Sequence, residues 1–334
     1  MKRLKLGVIG AGRMGRHHCR VYSAMRHVEL IGVFVADRYT ADQIASQYNV
    51  SRYAELDDLL SEVDAVSIAT PVATHFNVAM HSLHQGVHVM VEKPIALNPL
   101  HGDALIEVAR MNGLVLHVGH VERFNPAYRE LRNLFGDISP YTVEIRRLSP
   151  WLGSCRDVDV IMDLMTHDID LALDLAGEMP TAISAHGVTA HTNDIDHAVA
   201  HLQFPNGLII SLTASRLTEQ QVRTIDVTAR EAFVTADLLR RGVSVYHNTV
   251  AEWAVDAQRF PRYRQEHIAE HIHVPSFEPL YLQLQFFVDC VNEGRTSPLS
   301  ARAAVNAVKL AEKIRWAAKQ HLIDRREPLA LSVR

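Results

Sequence analysis

Short apolar runs and amphipathic segments alternate along the first third of the chain. Apolar runs of about four to eight residues predict strands, and apolar residues at every third or fourth position predict helices. The predicted strands are Leu4–Ile9, Glu29–Ala36, Ala65–Ala69, Val87–Val91 and Leu114–Val118, and the predicted helices are Arg16–Met25, Ala41–Tyr48, Leu56–Ser61, Thr74–Gln85 and Leu100–Asn112. This alternation predicts an α/β fold that begins with a doubly wound parallel sheet of the Rossmann type.

The pattern changes after Pro126, where strand-rich segments follow one another between helices. Such a series is typical of an α+β domain with a large, open and mostly antiparallel sheet. We therefore expect a dinucleotide-binding Rossmann domain over residues 1–121 and a substrate-binding and oligomerisation domain over residues 122–334. An open sheet face needs cover, which predicts a homo-oligomer, either a dimer or a tetramer. The predicted elements are the helices Ala127–Leu134, Asp159–Ala176, Leu280–Asn292 and Ala301–His321, the strand Tyr141–Leu148 and the strand-rich stretch Ala182–Tyr246.

A glycine-rich turn, G-A-G-R-M-G over residues 10–15, joins the first predicted strand to the first predicted helix. Gly10 permits the tight turn, Gly12 lets a pyrophosphate approach the backbone, and Gly15 lets the helix pack closely on the strand. The N-terminus of the helix offers N–H groups and a positive dipole end to the phosphates. Arg13 and Met14 complete this candidate cofactor site, and the alternative is a glycine-rich turn without a ligand.

Polar residues follow the ends of several predicted strands. Ligands of parallel sheets bind beyond the carboxyl ends of the strands, so we expect these residues to border one crevice. They are Asp37, Thr70, Pro71, Glu92, Lys93, Gly119 and His120.

Lys93 stands out by composition, since the chain has six lysines and 28 arginines, and no other lysine lies between Lys5 and Lys309. Lysine, unlike arginine, gives up its proton when it is desolvated or placed beside another positive charge. A lysine at this strand end therefore favours acid–base chemistry. The alternative is a local salt bridge between Lys93 and Glu92.

Asp163 and His167 lie four residues apart in the long predicted helix, on one face and within reach of each other. A carboxylate beside an imidazole fixes the tautomer of the ring and stabilises its charged form, as a general base requires. The alternative is a polar stripe on a solvated helix.

Composition and charge exclude several classes of protein. The chain has 334 residues and a net charge of −4, so bulk charge does not favour a nucleic-acid partner. No apolar run reaches the roughly 18 residues of a membrane span, and the basic N-terminus leads into a first strand rather than a signal peptide. Three widely spaced cysteines predict neither a disulfide framework nor a zinc knuckle, and they indicate a reducing, cytoplasmic compartment.

Twenty histidines make a metal site worth considering. Residues 267–271 read H-I-A-E-H, which matches the H-x-x-E-H signature of some zinc peptidases. The segment lies between Pro261 and Pro275, in what we expect to be a loop or a short helix, and no third ligand is evident. We therefore interpret His267–His271 as a solvated, charged segment and expect no metal.

Taken together, these motifs resemble the Gfo/Idh/MocA family of nicotinamide-dependent oxidoreductases over nearly the whole chain. The resemblance rests on the glycine-rich turn, A-T-P over residues 69–71 with His75, E-K-P over residues 92–94, and D-L-M-T-H over residues 163–167. It implies that Lys93, Asp163 and His167 are the catalytic residues. Whether Lys93 or His167 is the base stays open. The resemblance also assigns a set of residues to the cofactor site, namely Thr70, Pro71, His75, Glu92 and Lys93.

Residues 119–126, 146–150 and 157–163 resemble one branch of that family, the bacterial UDP-N-acetylglucosamine 3-dehydrogenases. The branch implies oxidation of the sugar 3-hydroxyl to a 3-keto nucleotide sugar, which feeds an aminotransferase that makes a 2,3-diamino sugar for lipid A. The alternatives are another sugar or an inositol as substrate, or a non-catalytic NAD-sensing protein. Neighbouring strand residues face opposite sides, so at most one of Arg146 and Arg147 reaches a diphosphate. The candidate substrate residues are His120, Arg123, Asn125, Arg147, Asp163 and His167.

The residues after the second predicted strand bear on the choice between NAD and NADP. Family members commonly have the ribose-binding acid at the end of this strand, where this chain has Val35. Asp37 follows two residues later and would repel a 2′-phosphate, whereas the adjacent Arg38 would hold one. We expect NAD, with NADP as the alternative.

Overall fold

The apolar runs of the N-terminal third form a parallel sheet in the structure, a computed structural model that describes residues 3–151, 153, 158–247, 251–255, 261–265, 268–295 and 301–325. Its strands are β1 (Leu4–Ile9), β2 (Val28–Phe34), β3 (Ser51–Tyr53), β4 (Ala65–Ile68), β5 (His88–Glu92) and β6 (Leu116–Gly119). Across the described residues the strand order is β3-β2-β1-β4-β5-β6, and the predicted Rossmann arrangement is confirmed. The sequence did not predict β3, because three residues that read Ser-Arg-Tyr give no apolar run.

Helices cover both faces of this sheet, which explains the continuous apolar runs in its central strands. One face packs in a cluster that includes Tyr22 and Phe287, and the other packs in a cluster that includes Leu83 and Val305. A Cβ on Gly102 would lie 2.5 Å from Val305 Cγ2, so this glycine permits a close helix contact. The helices of this part are α1 (Arg13–Ala24), α2 (Arg38–Tyr48), α3 (Leu56–Glu62), α4 (Val72–His84) and α5 (Pro99–Met111).

The strand-rich part of the sequence forms a second, larger sheet. Its strands are β7 (Pro140–Leu148), β8 (Ala182–Thr189), β9 (His197–Gln203), β10 (Ile209–Ser215), β11 (Val222–Ala229), β12 (Ala232–Asp237), β13 (Gly242–His247), β16 (Ala269–Ile272) and β17 (Leu322–Asp324), and β14 (Ala251–Val255) pairs separately with β15 (Pro261–Gln265). Within the described ranges the order is β16-β13-β12-β11-β7-β10-β9-β8-β17. The pairs β7–β10 and β8–β17 are parallel and the others antiparallel, so the predicted mostly antiparallel sheet is confirmed.

The predicted helix Asp159–Ala176 begins differently from the expectation. Ile161–Met165 forms a π-helical turn, and the α-helix α7 (Thr166–Ala176) follows it. A π turn is wider than an α turn and is often found at functional sites. The remaining helices are α6 (Pro126–Leu134), α8 (Pro279–Asn292) and α9 (Ala301–Gln320).

The chain divides into two compact units that are not continuous in sequence. The first unit comprises Met1–Phe124 and Phe277–Leu310, and the second comprises Asn125–Ser276 and Ala311–Arg334. α8 belongs to the first unit because it packs on α1 and on the 3₁₀ turn Val121–Phe124. None of the helices in the described ranges combines the length and the apolar character needed to cross a bilayer.

Candidate active site

Gly10, Gly12 and Gly15 form the turn between β1 and α1. Gly10 has a φ of +87°, and a Cβ there would lie 2.8 Å from the backbone of Ala69. A Cβ on Gly15 would lie 2.0 Å from the carbonyl oxygen of Gly10. At Gly12, no heavy atom of the described residues lies within 4 Å of the corresponding Cβ position. The turn is therefore packed tightly against the protein at Gly10 and Gly15 and is open at Gly12, where a ligand approaches.

The N-terminus of α1 lies directly after this turn. Gly12 is its N-cap residue, and no side chain in the described part of the chain caps it. The first turn, Arg13–Arg16, carries two arginines and no acid. Uncapped N–H groups, the positive end of the helix dipole and the space at Gly12 fit the pyrophosphate of a dinucleotide.

Asp37 follows β2 and caps α2. Its Oδ2 accepts a hydrogen bond from the Thr40 backbone N–H at 2.8 Å. Hydrogen bonding from the Thr40 side chain and backbone lowers the pKa of Asp37, so the carboxylate is ionised at neutral pH. Arg38 Nε lies 3.9 Å from Oδ2 of Asp42, on the same helix. The capping role was not predicted, although an Asp directly before a helix is a common N-cap.

His75 joins the loops that follow β4 and β5. Its Nδ1 lies 2.8 Å from the carbonyl oxygen of Pro94, and its Nε2 lies 2.9 Å from the carbonyl oxygen of Thr70. The residue is 1% exposed. Both ring nitrogens thus contact the backbone of the protein, which favours a structural role over the predicted contact with the cofactor. Beside it, the Thr74 hydroxyl lies within hydrogen-bonding distance of the Thr70 hydroxyl and of the Pro71 carbonyl, at 2.8 Å each.

Glu92 and Lys93 lie at the carboxyl end of β5, followed by a cis peptide bond between Lys93 and Pro94. Lys93 is half-buried. The Glu92 carboxylate faces His18 of α1, with 3.1 Å between Oε1 and Nε2. A Cβ on Gly119, the β6 residue paired with Glu92, would lie 2.8–2.9 Å from that carboxylate. The glycine-rich turn and Lys93 therefore lie at the same carboxyl edge of one sheet.

In the second unit, Asp163 lies on the π turn and His167 lies in the first turn of α7, and both are half-buried. Asp159 anchors the start of this segment, because its Oδ1 accepts hydrogen bonds from the N–H groups of Ile161 and Met162 at 3.0 Å each. Arg315 Nε of α9 lies 2.6 Å from the other oxygen of Asp159. The segment that carries the two candidate residues is thus fixed at its N-terminal end.

The match to known proteins covers both sheets. Residues 4–120 match the model of the oxidoreductase family with an NAD-binding Rossmann fold, and residues 134–234 match the GFO/IDH/MocA C-terminal domain. The chain is 40% identical over 248 residues to UDP-N-acetylglucosamine 3-dehydrogenase from Acidithiobacillus ferrooxidans, an alignment that covers 74% of this chain and 78% of that protein. The chain belongs to the Gfo/Idh/MocA family of oxidoreductases.

Solved structures and other relatives agree with this membership. The crystal form P21 of the Acidithiobacillus ferrooxidans enzyme superposes with a TM-score of 0.87 at 33% identity, over 96% of this chain and 99% of that one. GenD2 from gentamicin A biosynthesis, solved in complex with NAD, gives a TM-score of 0.80 at 26% identity, over 96% and 95% of the two chains. The scyllo-inositol 2-dehydrogenase (NAD(+)) of Bacillus subtilis is 25% identical, over 88% of this chain and 87% of that protein. The predicted class, an NAD(P)-dependent dehydrogenase, is confirmed.

Two predicted substrate residues of this Gfo/Idh/MocA protein have structural partners instead. Arg147 is buried and forms a bidentate ion pair with Asp168. Asn125 caps α6, since its Oδ1 accepts from Ala127 N–H at 3.1 Å and its Nδ2 donates to the Leu238 carbonyl at 3.0 Å. These contacts speak against direct binding of a substrate by either residue.

His120 and Arg123 lie directly after β6. His120 is 9% exposed, and Arg123 is half-buried in the 3₁₀ turn. Nearby His117 is fully buried among the rings of Phe124, Phe286 and Phe287. Burial and the neighbouring His120 lower the pKa of His117 to about 3, so this ring is neutral at physiological pH.

The H-x-x-E-H segment is not helical where it is described. His267 lies outside the described residues, and Ala269–Ile272 is the strand β16 rather than the expected loop or short helix. His271 Nδ1 lies 2.9 Å from the Ser244 hydroxyl on β13, which gives the ring a cross-strand partner. Within the described ranges, no cluster of three or more His, Cys, Asp or Glu side chains has metal-binding geometry.

Sequence reasoning missed His18, Ser67, Asp159 and Arg315. Of these residues, His18 is completely buried. The helical pattern contained a signal, because His18 is three residues from Gly15 and four from Tyr22, on the apolar face of α1.

Proposed function

We propose that this protein oxidises the 3-hydroxyl of UDP-N-acetylglucosamine to the 3-keto nucleotide sugar, with NAD as the cofactor. The observation that carries the proposal is the placement of the uncapped glycine turn and of Lys93 at one carboxyl edge of the Rossmann sheet. The likeness to UDP-N-acetylglucosamine 3-dehydrogenase supports the choice of substrate. We assign the cofactor to residues 1–121 and the sugar mainly to residues 122–334.

Gly10, Gly12 and Gly15 would hold the pyrophosphate against the N-terminus of α1, with Arg13, Met14, Thr70 and Pro71 around the dinucleotide. When bound, NAD supplies the acceptor for the hydride that leaves the sugar carbon. The hydroxyl proton goes to the amine of Lys93 or to the imidazole of His167, and the other group orients the hydroxyl. Asp163 fixes the tautomer of His167 and stabilises the ring once it is charged.

Asp37 supports NAD over NADP in this proposal. Its carboxylate is held ionised at the N-terminus of α2, three residues after the end of β2, the strand that leads to the adenosine ribose in Rossmann domains. A negative charge there accepts hydrogen bonds from ribose hydroxyls and repels a 2′-phosphate. Arg38 is directed along α2 toward Asp42, at 3.9 Å.

Transamination converts a ketone to an amine. Transamination of the 3-keto group, which lies beside the 2-acetamido group, therefore gives a 2,3-diamino sugar. We propose that an aminotransferase takes up the 3-keto product to make a 2,3-diamino sugar for lipid A. The second candidate substrate is a neutral sugar or an inositol. The observation that favours it is the burial of Arg147 with Asp168, which removes one cation from those expected to meet a diphosphate.

We also propose that the protein is a cytoplasmic homo-oligomer that pairs through the second sheet. One cross-strand row on this sheet exposes Ile209, Phe233 and Tyr246, at 43%, 42% and 40%, and a second copy would cover them. Phe233→Arg should then lower the mass measured by analytical ultracentrifugation, whereas an unchanged mass contradicts this interface. The burial of the Cys19 and Cys290 thiols suits a reducing compartment.

A substrate panel tests the proposed activity. The purified protein is mixed with NAD⁺ or NADP⁺ and with UDP-N-acetylglucosamine, UDP-glucose, glucose or myo-inositol, and reduced cofactor is followed by absorbance. A sugar-nucleotide 3-aminotransferase with its amino donor removes the ketone, so that an unfavourable equilibrium does not hide turnover. We expect the highest kcat/KM with UDP-N-acetylglucosamine and NAD⁺. Turnover of inositol alone would favour the second candidate, and no turnover of any compound would contradict the proposal.

A further inference from the structure

Lys93 lies between two residues that are each contacted by a buried histidine. On its N-terminal side, Glu92 contacts His18 of α1, and on its C-terminal side the carbonyl of Pro94 contacts His75 of α4. His18 is 0% exposed and His75 is 1% exposed. The segment that presents the lysine is therefore fixed from two other elements of the first unit.

His18 connects β4 to the end of β5. Its Nδ1 lies 2.7 Å from the Ser67 hydroxyl. Its Nε2 lies 3.1 Å from Glu92 Oε1, an ion-pair distance at which the N–H is not aligned for a full hydrogen bond. Burial raises the pKa of the adjacent Tyr22, so its hydroxyl stays neutral beside Ser67. A tautomer with its proton on Nε2 would direct an N–H toward Glu92 and let Nδ1 accept from the Ser67 hydroxyl.

The Glu92 carboxylate is also confined from the opposite strand. It occupies the space that a side chain at position 119 would need, since a Cβ on Gly119 would lie 2.8 Å from Oε1. Only 13% of the Glu92 side chain is exposed. A carboxylate in so little water acts strongly on the groups around it, and the next residue along the chain is Lys93.

We propose that His18 is a positioning residue for the dehydrogenase reaction, and that it acts on Lys93 through Glu92. The inference rests on the proposed function in one respect, because it takes Lys93 as a group that exchanges a proton with the substrate. The N–H dipole of His18 offsets part of the negative potential that the Glu92 carboxylate exerts on its surroundings. Without it, the full charge of the carboxylate acts on the neighbouring lysine and favours the ammonium form, which accepts no proton.

Three variants separate this role from simple packing. His18→Leu removes both polar contacts, whereas His18→Gln keeps a donor for Glu92. His17→Leu is the matched control, because His17 is the exposed neighbour on the same helix. Thermal unfolding and the Kd for NADH are measured for each variant, so that a folding or cofactor-binding defect is recognised.

The decisive readout is the pH profile of Lys93 acetylation by a water-soluble acetylating reagent that reacts with neutral amines. It is measured by peptide mass spectrometry on protein without substrate. Lys93 is easily followed, because no other lysine lies between Lys5 and Lys309. In His18→Leu we expect the midpoint to move to higher pH by about 0.5 unit or more, and the alkaline rise of kcat to move with it. His18→Gln should shift less, and His17→Leu should match the wild type.

Unchanged labelling and kcat profiles in a folded His18→Leu protein would overturn the inference. If that variant does not fold, His18→Phe decides in the same way, since it keeps a ring at position 18 but removes the contacts with Glu92 and Ser67. The labelling profile needs no sugar. A wild-type protein that oxidises no nucleotide sugar therefore contradicts the proposed function, while the labelling shift separately tests the effect of His18 on Lys93.

Discussion

Arg147 and Asp168 form a bidentate ion pair in the interior of the second unit. Nε and Nη2 of the arginine donate to the carboxylate at 2.8–3.0 Å, and the two side chains are 3% and 2% exposed. The strand residue Arg147 and the α7 residue Asp168 thereby join the sheet to the helix that carries His167. The neighbouring Arg146 lies on the other face of β7, 3.5 Å from Asp226.

Removal of one partner from this pair should destabilise the protein. In Arg147→Met, Asp168 stays buried without its counter-charge, and we expect a loss of roughly 3–5 kcal/mol in the free energy of unfolding. Arg147→Met combined with Asp168→Leu should recover much of that loss, because neither charge is then left alone. Denaturant titration measures both. An Arg147→Met protein with wild-type stability but a raised KM for the sugar nucleotide would instead indicate a substrate contact.

The glycine turn allows two neighbouring substitutions to be compared. Gly12→Ala should fold normally, because its Cβ meets open space, but should raise the Kd for NADH by about tenfold or more, since the methyl group occupies the approach of the pyrophosphate. Gly15→Ala should lower Tm, because its Cβ would lie 2.0 Å from the Gly10 carbonyl. NADH fluorescence titration and thermal melts measure the two effects. Equal NADH binding by Gly12→Ala and wild type would place the pyrophosphate elsewhere.

The charge of Asp37 should decide between NAD and NADP. Asp37→Asn keeps a side chain that caps α2 and removes the charge, so Tm should change little. The ratio of kcat/KM for NADP⁺ to that for NAD⁺ should rise roughly fivefold, the order expected for one screened charge. Arg38→Ala serves as the opposite variant and should not raise the NADP⁺ ratio. An unchanged ratio in Asp37→Asn would mean that this carboxylate does not face the ribose.

His117 should make stability depend on pH. The unfolded ring takes up a proton near pH 6.5, whereas the folded ring stays neutral until about pH 3. The unfolded state therefore binds more protons between these two pH values. The contribution of the neutral His117 ring to the free energy of unfolding is complete above pH 6.5 and is lost as the pH falls. The loss is ~2 kcal/mol between pH 7 and pH 5. His117→Leu should flatten this dependence in denaturant titrations at several pH values, and the exposed His17→Leu should not. Parallel curves of the free energy of unfolding against pH for wild type and His117→Leu would contradict the low pKa of His117 in the folded state.

The parallel sheet was predictable because its strands are buried on both faces and appear as continuous apolar runs between amphipathic helices. The glycine turn was predictable for a similar reason, since its backbone geometry restricts the residue types it accepts. The π turn at Ile161–Met165 was not predictable, because a single widened turn leaves the helical period of apolar residues almost intact. The return of α8 to the first unit depends on a long-range contact that no local pattern records.

Some residues of the candidate site were likewise predictable from the sequence, and others were not. Lys93 was singled out by its rarity and its place at a strand end, both of which are visible in the sequence. Asn125 and Arg147 were selected for their polarity or charge, but the structure pairs them with a helix N-terminus and a buried carboxylate. Polar side chains serve structure and chemistry with the same atoms, so only the three-dimensional contacts separate the two uses.

The most direct test of the account is turnover by Lys93→Met and Lys93→Arg proteins that bind NADH with the wild-type Kd. We expect kcat for UDP-N-acetylglucosamine oxidation to fall by about 10²–10⁴ in both, because neither side chain exchanges a proton near neutral pH. Wild-type turnover by a folded, NADH-binding Lys93→Met protein would contradict the central claim.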